Sequence, residues 1–233
     1  MKPQISIIIP ALNEEDSIRE TLAALRDLDH AEIILVDGGS ADATVSIAET
    51  YGVKILHAPR RGRGEQLSFG GTAANGAIFW FLHADTIAPP GAAEQIRKAL
   101  ENPRVAGGNF TIRFDGDRRA AKFLTWLYPK LGKIGLIYGD SAIFVQREVY
   151  QKIGGFRPFP IFEDLDFVER LKREGEIVTL PAVVTTSSRR FENKSFLLTF
   201  LRWTILQIFY WLGVSPDTLL KIYFPAAKAE KQN

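Results

Sequence analysis

The chain has 233 residues, 46% of them hydrophobic and 24% charged, which provides enough apolar material for a packed globular core. Its 29 basic and 27 acidic residues nearly balance, and a net charge of +2 argues against a nucleic-acid-binding protein. It contains no cysteine, so disulfides and thiolate metal sites are excluded. The apolar run that ends at Pro10 lacks the length of a secretory signal, and we therefore expect a cytoplasmic protein.

The first half of the chain alternates strand and helix patterns. Apolar, β-branched runs predict strands over residues 5–9, 33–36 and 53–56, and helical spacing follows the first two. A fourth strand is predicted within residues 77–86, AIFWFLHADT, where five of the first six residues are bulky and the end is polar. This alternating order predicts an α/β fold with a doubly wound, mainly parallel sheet that binds ligands at the carboxyl ends of its strands.

The second half is less regular. It shows no internal repeat and no low-complexity linker. We therefore predict one domain over residues 1–190 and an appendage over residues 191–233 that is not an independent domain. Helices are predicted over residues 92–100 and 118–131 and between Glu163 and Gly175, and strands over residues 109–114, 142–145, 177–180 and 183–185.

Acidic side chains stand at the ends of predicted strands or at a helix start. They are Asp37, Asp85, Asp140 and the pair Glu163 and Asp164. In a doubly wound sheet these points converge on one crevice, which predicts an active site there. The alternative is that each of them is a turn or cap residue, a role that Asp fills often.

The polar end of the fourth strand carries a candidate metal site. His83 and Asp85 are separated by one small residue, so an extended segment would point both side chains the same way. Two such ligands would suit a divalent cation. The alternative is that both residues cap the strand and open the turn toward Pro89.

The sequence lacks the usual phosphate-binding loops. PALNEE follows the first strand instead of G-x-G-x-x-G, and no G-x-x-x-x-G-K-[ST] loop occurs, which argues against dinucleotide enzymes and ordinary nucleoside triphosphatases. Phosphate charge would instead be met by a metal at Asp85 and by Arg60, Arg61 and Arg63, since arginine matches phosphate oxygens. A solvated basic loop is the alternative for this cluster.

Several segments together resemble a known family. They are SIIIPALNEE, LVDGGSADAT, HADT, the GD at residues 139–140, the GGF at residues 154–156 and FEDLDFVERLKREG. In this order they are similar to a family 2 glycosyltransferase of the GT-A fold, over roughly residues 5–184. RGRGEQ and SSRRFE resemble a small bacterial branch that is linked in some members to arsenosugar biosynthesis.

The resemblance implies roles for individual residues. Asp37 would receive the base, Asp85 would hold the metal on the diphosphate, and Asp140 would orient a sugar. Asp164, with Glu163 beside it, would be the general base of an inverting displacement. His83 stands where the family often has aspartate, which leaves Mn²⁺ and Mg²⁺ both open. The expected nucleotide-binding residues are Pro10, Asn13, Glu14, Asp37, Arg61, Gln66, Arg189 and Arg190.

The position of Asp164 also predicts its acidity. At a helix start the amide dipoles would keep the carboxylate ionised, so we expect an available but weak base at neutral pH.

The carboxyl-terminal segment, residues 196–214, is almost wholly apolar but has Arg202 near its middle, which is costly in lipid. We expect a helix on a membrane surface, at the inner face of the cell membrane, or in a homodimer interface. Packing back onto the sheet is the alternative.

Three functions fit these patterns. The leading one is a metal-assisted inverting glycosyltransferase that uses a nucleotide-sugar donor, with a UDP-sugar favoured, and an acceptor that the sequence does not name. A sugar nucleotidyltransferase would need a glycine-rich triphosphate loop after the first strand, which PALNEE lacks. A non-catalytic, membrane-associated binding subunit is the third function.

Overall fold

An eight-stranded sheet runs through the computed structural model, which describes residues 4–26, 28–189 and 195–223. The strand order across the sheet is β3-β2-β1-β4-β7-β6-β8-β5. The strands are β1 (Ile5–Ala11), β2 (Ala31–Asp37), β3 (Lys54–His57), β4 (Ile78–Phe81), β5 (Thr86–Ile87), β6 (Val105–Phe114), β7 (Phe144–Gln146) and β8 (Glu176–Thr186).

Helices flank this sheet. A 3-10 turn, Gly139–Ser141, precedes β7. The helices of the described residues are α1 (Ile18–Ala23), α2 (Thr44–Glu49), α3 (Arg63–Ala73), α4 (Ala92–Leu100), α5 (Arg119–Lys133), α6 (Arg147–Lys152), α7 (Glu163–Leu171), α8 (Phe196–Trp211) and α9 (Pro216–Tyr223).

The predicted α/β class is confirmed. Strands β3, β2, β1 and β4 are parallel, as expected from the alternating order. In the second half, β7 runs antiparallel to β4 and β6, and β5 runs antiparallel to β8. The two strands predicted over residues 177–180 and 183–185 are one strand, β8, whose register against β6 shifts between Phe110 and Thr111. Pro181 lies at this irregularity, where a residue without an N–H interrupts the ladder.

The central strand β1 is buried on both faces. Alternation sends Ile7 and Ile9 into the apolar cluster that includes residues of α1 and α4, and Ile8 into the cluster that includes residues of α3 and α7. Helix α3 approaches the sheet closely, because a Cβ on Gly70 would lie 2.5 Å from Ile8 Cγ2. This approach explains why the segment before β4 is rich in small residues.

The carboxyl-terminal helices pack on the domain with one face. Leu206 of α8 and Leu219 of α9 form a third buried cluster with Ile161, Phe162 and Leu165, which lie around the start of α7. This face of α8 therefore packs on the start of α7, whereas the alternative in the sequence analysis was packing onto the sheet, and other apolar side chains of α8 are exposed. Among the described residues, no helix combines the length and the apolar character needed to cross a bilayer.

Candidate active site

The first group of site residues lies at the carboxyl ends of β1 and β2, where Ala11 and Asp37 are paired. The Asp37 carboxylate accepts backbone hydrogen bonds from Gly39 (3.1 Å) and Ser40 (3.0 Å), and His57 Nδ1 lies 3.3 Å away. Burial acts to raise the pKa of Asp37, but the hydrogen bonds from Ser40 and Gly39 outweigh it and leave the pKa below its ordinary value. Asp37 is therefore ionised at neutral pH.

The loop after β1 is fastened to the loop after β2. The backbone N–H of Asn13 donates to Ser40 Oγ (3.0 Å), and that of Glu14 donates to Thr44 Oγ1 (2.7 Å). Asn13 has a φ of 55°, a left-handed conformation that asparagine tolerates better than most residues. Both predicted pocket residues, Asn13 and Glu14, thus lie beside the turn that carries Asp37.

Three further predicted nucleotide-binding residues border these strand ends. Pro10 is the penultimate residue of β1. The Gln66 side-chain amide donates to one carbonyl of β1 and one of β2, both at 2.8 Å. The Nε of Arg61 lies 3.8 Å from the position that a Cβ on Gly39 would take. Gln66 therefore uses its amide nitrogen to hold the strand ends together, whereas Arg61 borders the turn after β2.

The chain turns sharply after β4. Thr86 N–H donates to His83 O (3.1 Å), so our expectation of an extended segment here was wrong, because this bond closes a turn. The two candidate metal ligands consequently have different partners. His83 Nδ1 lies 3.0 Å from Asp140 Oδ1, whereas Asp85 Oδ2 lies 3.4 Å from the Arg189 guanidinium.

Arg189 reaches the same end of the sheet through the pairing of β8 with β5. Just beyond these strands, Ser187 N–H donates to Asp85 O (3.2 Å). The Arg189 guanidinium forms ion pairs with Glu14 and Asp85. Burial raises the pKa of Glu14, and the hydrogen bond and charge of Arg189 oppose this rise only in part. Arg189 therefore lies among the predicted site residues, while Arg190 falls outside the residues that the structure describes.

The start of α7 supplies a buried pair of carboxyl groups. Glu163 is 1% exposed, and its Oε1 pairs with Arg63 Nε. Within the described part of the chain, its Oε2 has no hydrogen-bond partner. Asp164 accepts a 2.8 Å hydrogen bond from Gly139 N–H, which fixes the 3-10 turn that carries Asp140 against α7. These contacts bring Glu163, Asp164 and Asp140 together.

The acidity of Asp164 differs from our expectation. Its pKa is raised, first by burial and then by the charge of Glu163, while Arg63 and the hydrogen bond from Gly139 act in the opposite direction. We expected the helix dipole to keep this carboxyl group weakly basic. That expectation was wrong because burial and a neighbouring carboxylate outweigh the helix terminus. Asp164 is consequently a stronger proton acceptor than an ordinary aspartate.

Arg63 is the main site residue whose role the sequence reasoning missed. We grouped it with Arg60 and Arg61 as a phosphate ligand, but its guanidinium faces Glu163 instead. Burial acts to lower the pKa of Arg63, and the charges of Glu163 and Asp164 raise it more, so the residue is a permanent cation. The separation of 100 residues between Arg63 and Glu163 leaves no local pattern that could have revealed the pair.

Helix α8 packs against the two segments that carry Asp140, Glu163 and Asp164. Phe162, the residue before the carboxyl pair, has a φ of 61°, which is rare for an aromatic residue. Its ring contacts Trp203 and Tyr210 of α8, with centroid distances of 5.7 and 5.3 Å. Tyr138, next to the 3-10 turn, donates its hydroxyl to Gln207 Oε1 (3.0 Å). The inner side of α8 thus contacts the residue before Glu163 and the residue before the 3-10 turn that carries Asp140.

The donor set at Asp85 fits a divalent cation that a nucleotide would help to hold. In the described ranges, no three His, Asp or Glu side chains form a metal-binding group. Mg²⁺ and its analogues, however, commonly use one or two carboxylates together with substrate phosphates and water. Asp85 offers a partly exposed carboxylate, and Glu14 lies close enough that the charge of Asp85 raises the pKa of Glu14. Both carboxylates pair with the cationic side chain of Arg189.

Comparison with known sequences identifies a family. Residues 6–154 match the family model "Glycosyl transferase family 2". This range includes Asp37, Asp85 and Asp140 but ends before Glu163. The chain is 28% identical over 211 residues to "Probable glycosyltransferase YdaM" of Bacillus subtilis (strain 168), which covers 78% of this chain and 50% of that protein. The chain therefore spans about half the length of this curated relative.

Two solved structures share the fold. The mannosyltransferase PcManGT from Pyrobaculum calidifontis, in complex with GDP-Man and Mn²⁺, aligns with a TM-score of 0.69 at 20% identity over 89% of this chain and 62% of that chain. Glucosyl-3-phosphoglycerate synthase from Mycobacterium tuberculosis, in complex with Mn²⁺, UDP and glucosyl-3-phosphoglycerate, aligns with a TM-score of 0.58 at 25% identity, over 79% and 70% of the respective chains. The fold is thus of the GT-A type, and the chain belongs to glycosyl transferase family 2.

Proposed function

We propose that the chain is an inverting glycosyltransferase that moves a sugar from a nucleoside diphosphate donor to a hydroxyl acceptor, assisted by a divalent metal. The observation that carries this proposal is the buried carboxyl group of Asp164. Its raised pKa makes it a stronger base than an ordinary aspartate, and it lies against the turn that carries Asp140. General-base catalysis requires such a group within reach of the acceptor proton.

The reaction is a single displacement. Asp164 takes the proton of the acceptor hydroxyl, and the acceptor oxygen forms a bond to the anomeric carbon. The bond from that carbon to the diphosphate oxygen breaks, and the nucleoside diphosphate leaves with the electron pair. Attack opposite to the leaving group inverts the configuration at the anomeric carbon. Asp140, whose carboxylate lies 3.0 Å from His83 Nδ1, would orient a sugar hydroxyl beside Asp164.

The leaving diphosphate gains negative charge, which cations near the ends of β1, β4 and β8 would stabilise. Asp85, together with Glu14, would hold the metal, which supplies positive charge to the diphosphate when it is bound. Arg189 already contacts both carboxylates, and its planar fork suits phosphate oxygens. Asp37, whose carboxylate accepts backbone hydrogen bonds from Gly39 and Ser40, would accept hydrogen bonds from the nucleotide base.

The finer assignments rest on similarity. We propose a UDP-sugar as donor, because the relative at 25% identity was solved with UDP, with GDP-Man as the alternative from the mannosyltransferase. RGRGEQ and SSRRFE support membership of the branch linked in some members to arsenosugar biosynthesis.

The test combines donor binding with turnover. Thermal unfolding is measured with UDP- and GDP-sugars, with and without Mn²⁺, and nucleotide release is then assayed with the donor that stabilises. Asp164→Asn should keep the donor-induced stabilisation but lose at least about two orders of magnitude in turnover. Equal turnover of the two proteins would remove Asp164 from the mechanism. Donor binding without any release or transfer would support the non-catalytic binding subunit instead.

A further inference from the structure

The outer face of α8 is apolar and exposed. Five of its side chains, spaced four, four, three and four residues apart, form one line along the helix and are between 43% and 73% exposed. Three more flank this line and are also exposed. The outer face consists of Leu197, Leu198, Leu201, Ile205, Ile208, Phe209, Trp211 and Leu212.

This exposure cannot be relieved by turning the helix. The opposite side of α8 is apolar too, and it is occupied by the contacts of Trp203, Leu206 and Tyr210 with the cluster around Phe162. A helix that is apolar on all sides is normally buried on all sides. Contiguous apolar surface of this extent on a protein marks a contact with another apolar phase or a partner.

Helix α5 extends the apolar surface and adds positive charge. The Phe123 ring contacts Phe196 and Phe200 of α8, with centroid distances of 5.7 and 6.0 Å. Trp126 is 58% exposed and carries the Lys130 ammonium 3.3 Å from its ring centroid. An aromatic ring beside a lysine is the pairing found where proteins meet the boundary between lipid and water.

The segments that contain α5 and α8 carry only positively charged side chains. Residues 118–139 contain five basic side chains and no acidic one, although Lys122 pairs with Asp117 just before this segment (3.5 Å), and residues 195–216 contain Arg202 and no acidic residue. This contrasts with the whole chain, in which 29 basic residues nearly balance 27 acidic ones. Lysine and arginine near an anionic lipid surface each contribute to binding.

We propose that α5 and the outer face of α8 dock on the surface of an anionic lipid bilayer. The apolar side chains of α8 enter the boundary of the acyl chains, and the basic side chains of α5 contact the headgroups. A second copy of the chain is a poorer occupant. A twofold-symmetric pairing through this face would bring the basic side chains of both copies together, and neither segment contains an acidic residue that could face them across the symmetry axis.

The test uses the full chain and vesicles of two compositions, phosphatidylcholine alone and phosphatidylcholine with phosphatidylglycerol. Binding is measured by flotation, and self-association by light scattering after gel filtration. Leu201→Gln with Ile208→Gln removes apolar contact, and Lys130→Gln with Lys133→Gln removes charge. Matched controls are Val183→Gln, which changes an exposed apolar side chain of β8, and Lys98→Gln, which removes an exposed charge from α4.

The wild type and both controls should float with anionic vesicles and not with neutral ones. Loss of two basic side chains should weaken binding about thirtyfold, since each contributes roughly a factor of five near an anionic surface. The double variant Leu201→Gln with Ile208→Gln should not float with vesicles, while a sugar-nucleotide donor should still stabilise it against thermal unfolding. Absence of binding to anionic vesicles, or equal binding to neutral ones, would overturn the proposal. If the wild type is a dimer that does not bind vesicles, and Leu201→Gln with Ile208→Gln makes it monomeric, the outer face is an interface with a second copy.

Discussion

Replacement of Arg63 by methionine would test the electrostatic arrangement of the site most directly. The change removes the cation that faces Glu163, whose side chain is 1% exposed. It also removes a charge that holds the pKa of Asp164 down. Breaking a buried ion pair by loss of one partner typically costs 3–5 kcal/mol. Because the Arg63 side chain is still 32% exposed, we expect the low end, about 3 kcal/mol.

This loss should be visible in thermal unfolding. For a chain of this length, about 3 kcal/mol corresponds to a decrease of roughly 6–12 °C in the melting temperature. The decrease should be larger at pH 8 than at pH 5. Asp164 already has a folded-state pKa above its unfolded value, so its ionisation at rising pH destabilises the folded state, and removal of Arg63 enlarges that effect.

The same variant should shift the pH dependence of catalysis. Without Arg63 the pKa of Asp164 rises further, so the base is ionised only at higher pH and the acid limb of kcat/KM moves to higher pH. Arg60→Met is the matched control, because Arg60 is 74% exposed where it pairs with Glu65 and should cost less than about 1 kcal/mol. Equal melting temperatures and equal pH profiles for the Arg63 and Arg60 variants would refute the role of Arg63 in stabilising Glu163 and lowering the pKa of Asp164.

Three further predictions concern neighbouring parts of the molecule. Asp85→Ala should abolish the additional stabilisation that Mn²⁺ gives to the UDP complex, and an unchanged response would exclude Asp85 as a metal ligand. Arg189→Lys and Arg190→Lys should weaken UDP binding with unchanged vesicle binding, and unaltered UDP affinity in both would remove them from the site. Gly70→Ala should lower stability by about 1–3 kcal/mol through overpacking, measured by thermal unfolding against Gly132→Ala, where the added Cβ meets no atom within 4 Å.

The parallel half of the fold could be predicted because its information is local. Apolar runs, helical spacing and polar strand ends identified β1, β2 and β4, and the parallel order then placed Asp37 and Asp85 at one edge of the sheet. The turn at His83 was the alternative to the extended segment that we expected, and the residue types could not decide between them because the turn depends on a backbone hydrogen bond.

The electrostatics of the site could not be predicted in the same way. The helix position of Asp164 and its neighbour Glu163 are visible in the sequence, but the burial of Asp164 and the approach of Gly139 depend on tertiary packing. The ion pair of Arg63 with Glu163 joins two distant parts of the chain. For α8, an apolar composition on all sides gave no indication of which side packs on the domain.

The contacts of Phe162 with α8 give this helix two sides under different constraints. Trp203 and Tyr210 pack on Phe162, the residue before Glu163 and Asp164, so this side of α8 must remain matched to the segment that carries these candidate catalytic residues. The side chains of the outer face are exposed instead. The outer face can therefore change in sequence independently of the Phe162 contacts, so the docking surface proposed above could diverge between relatives while the candidate site is retained.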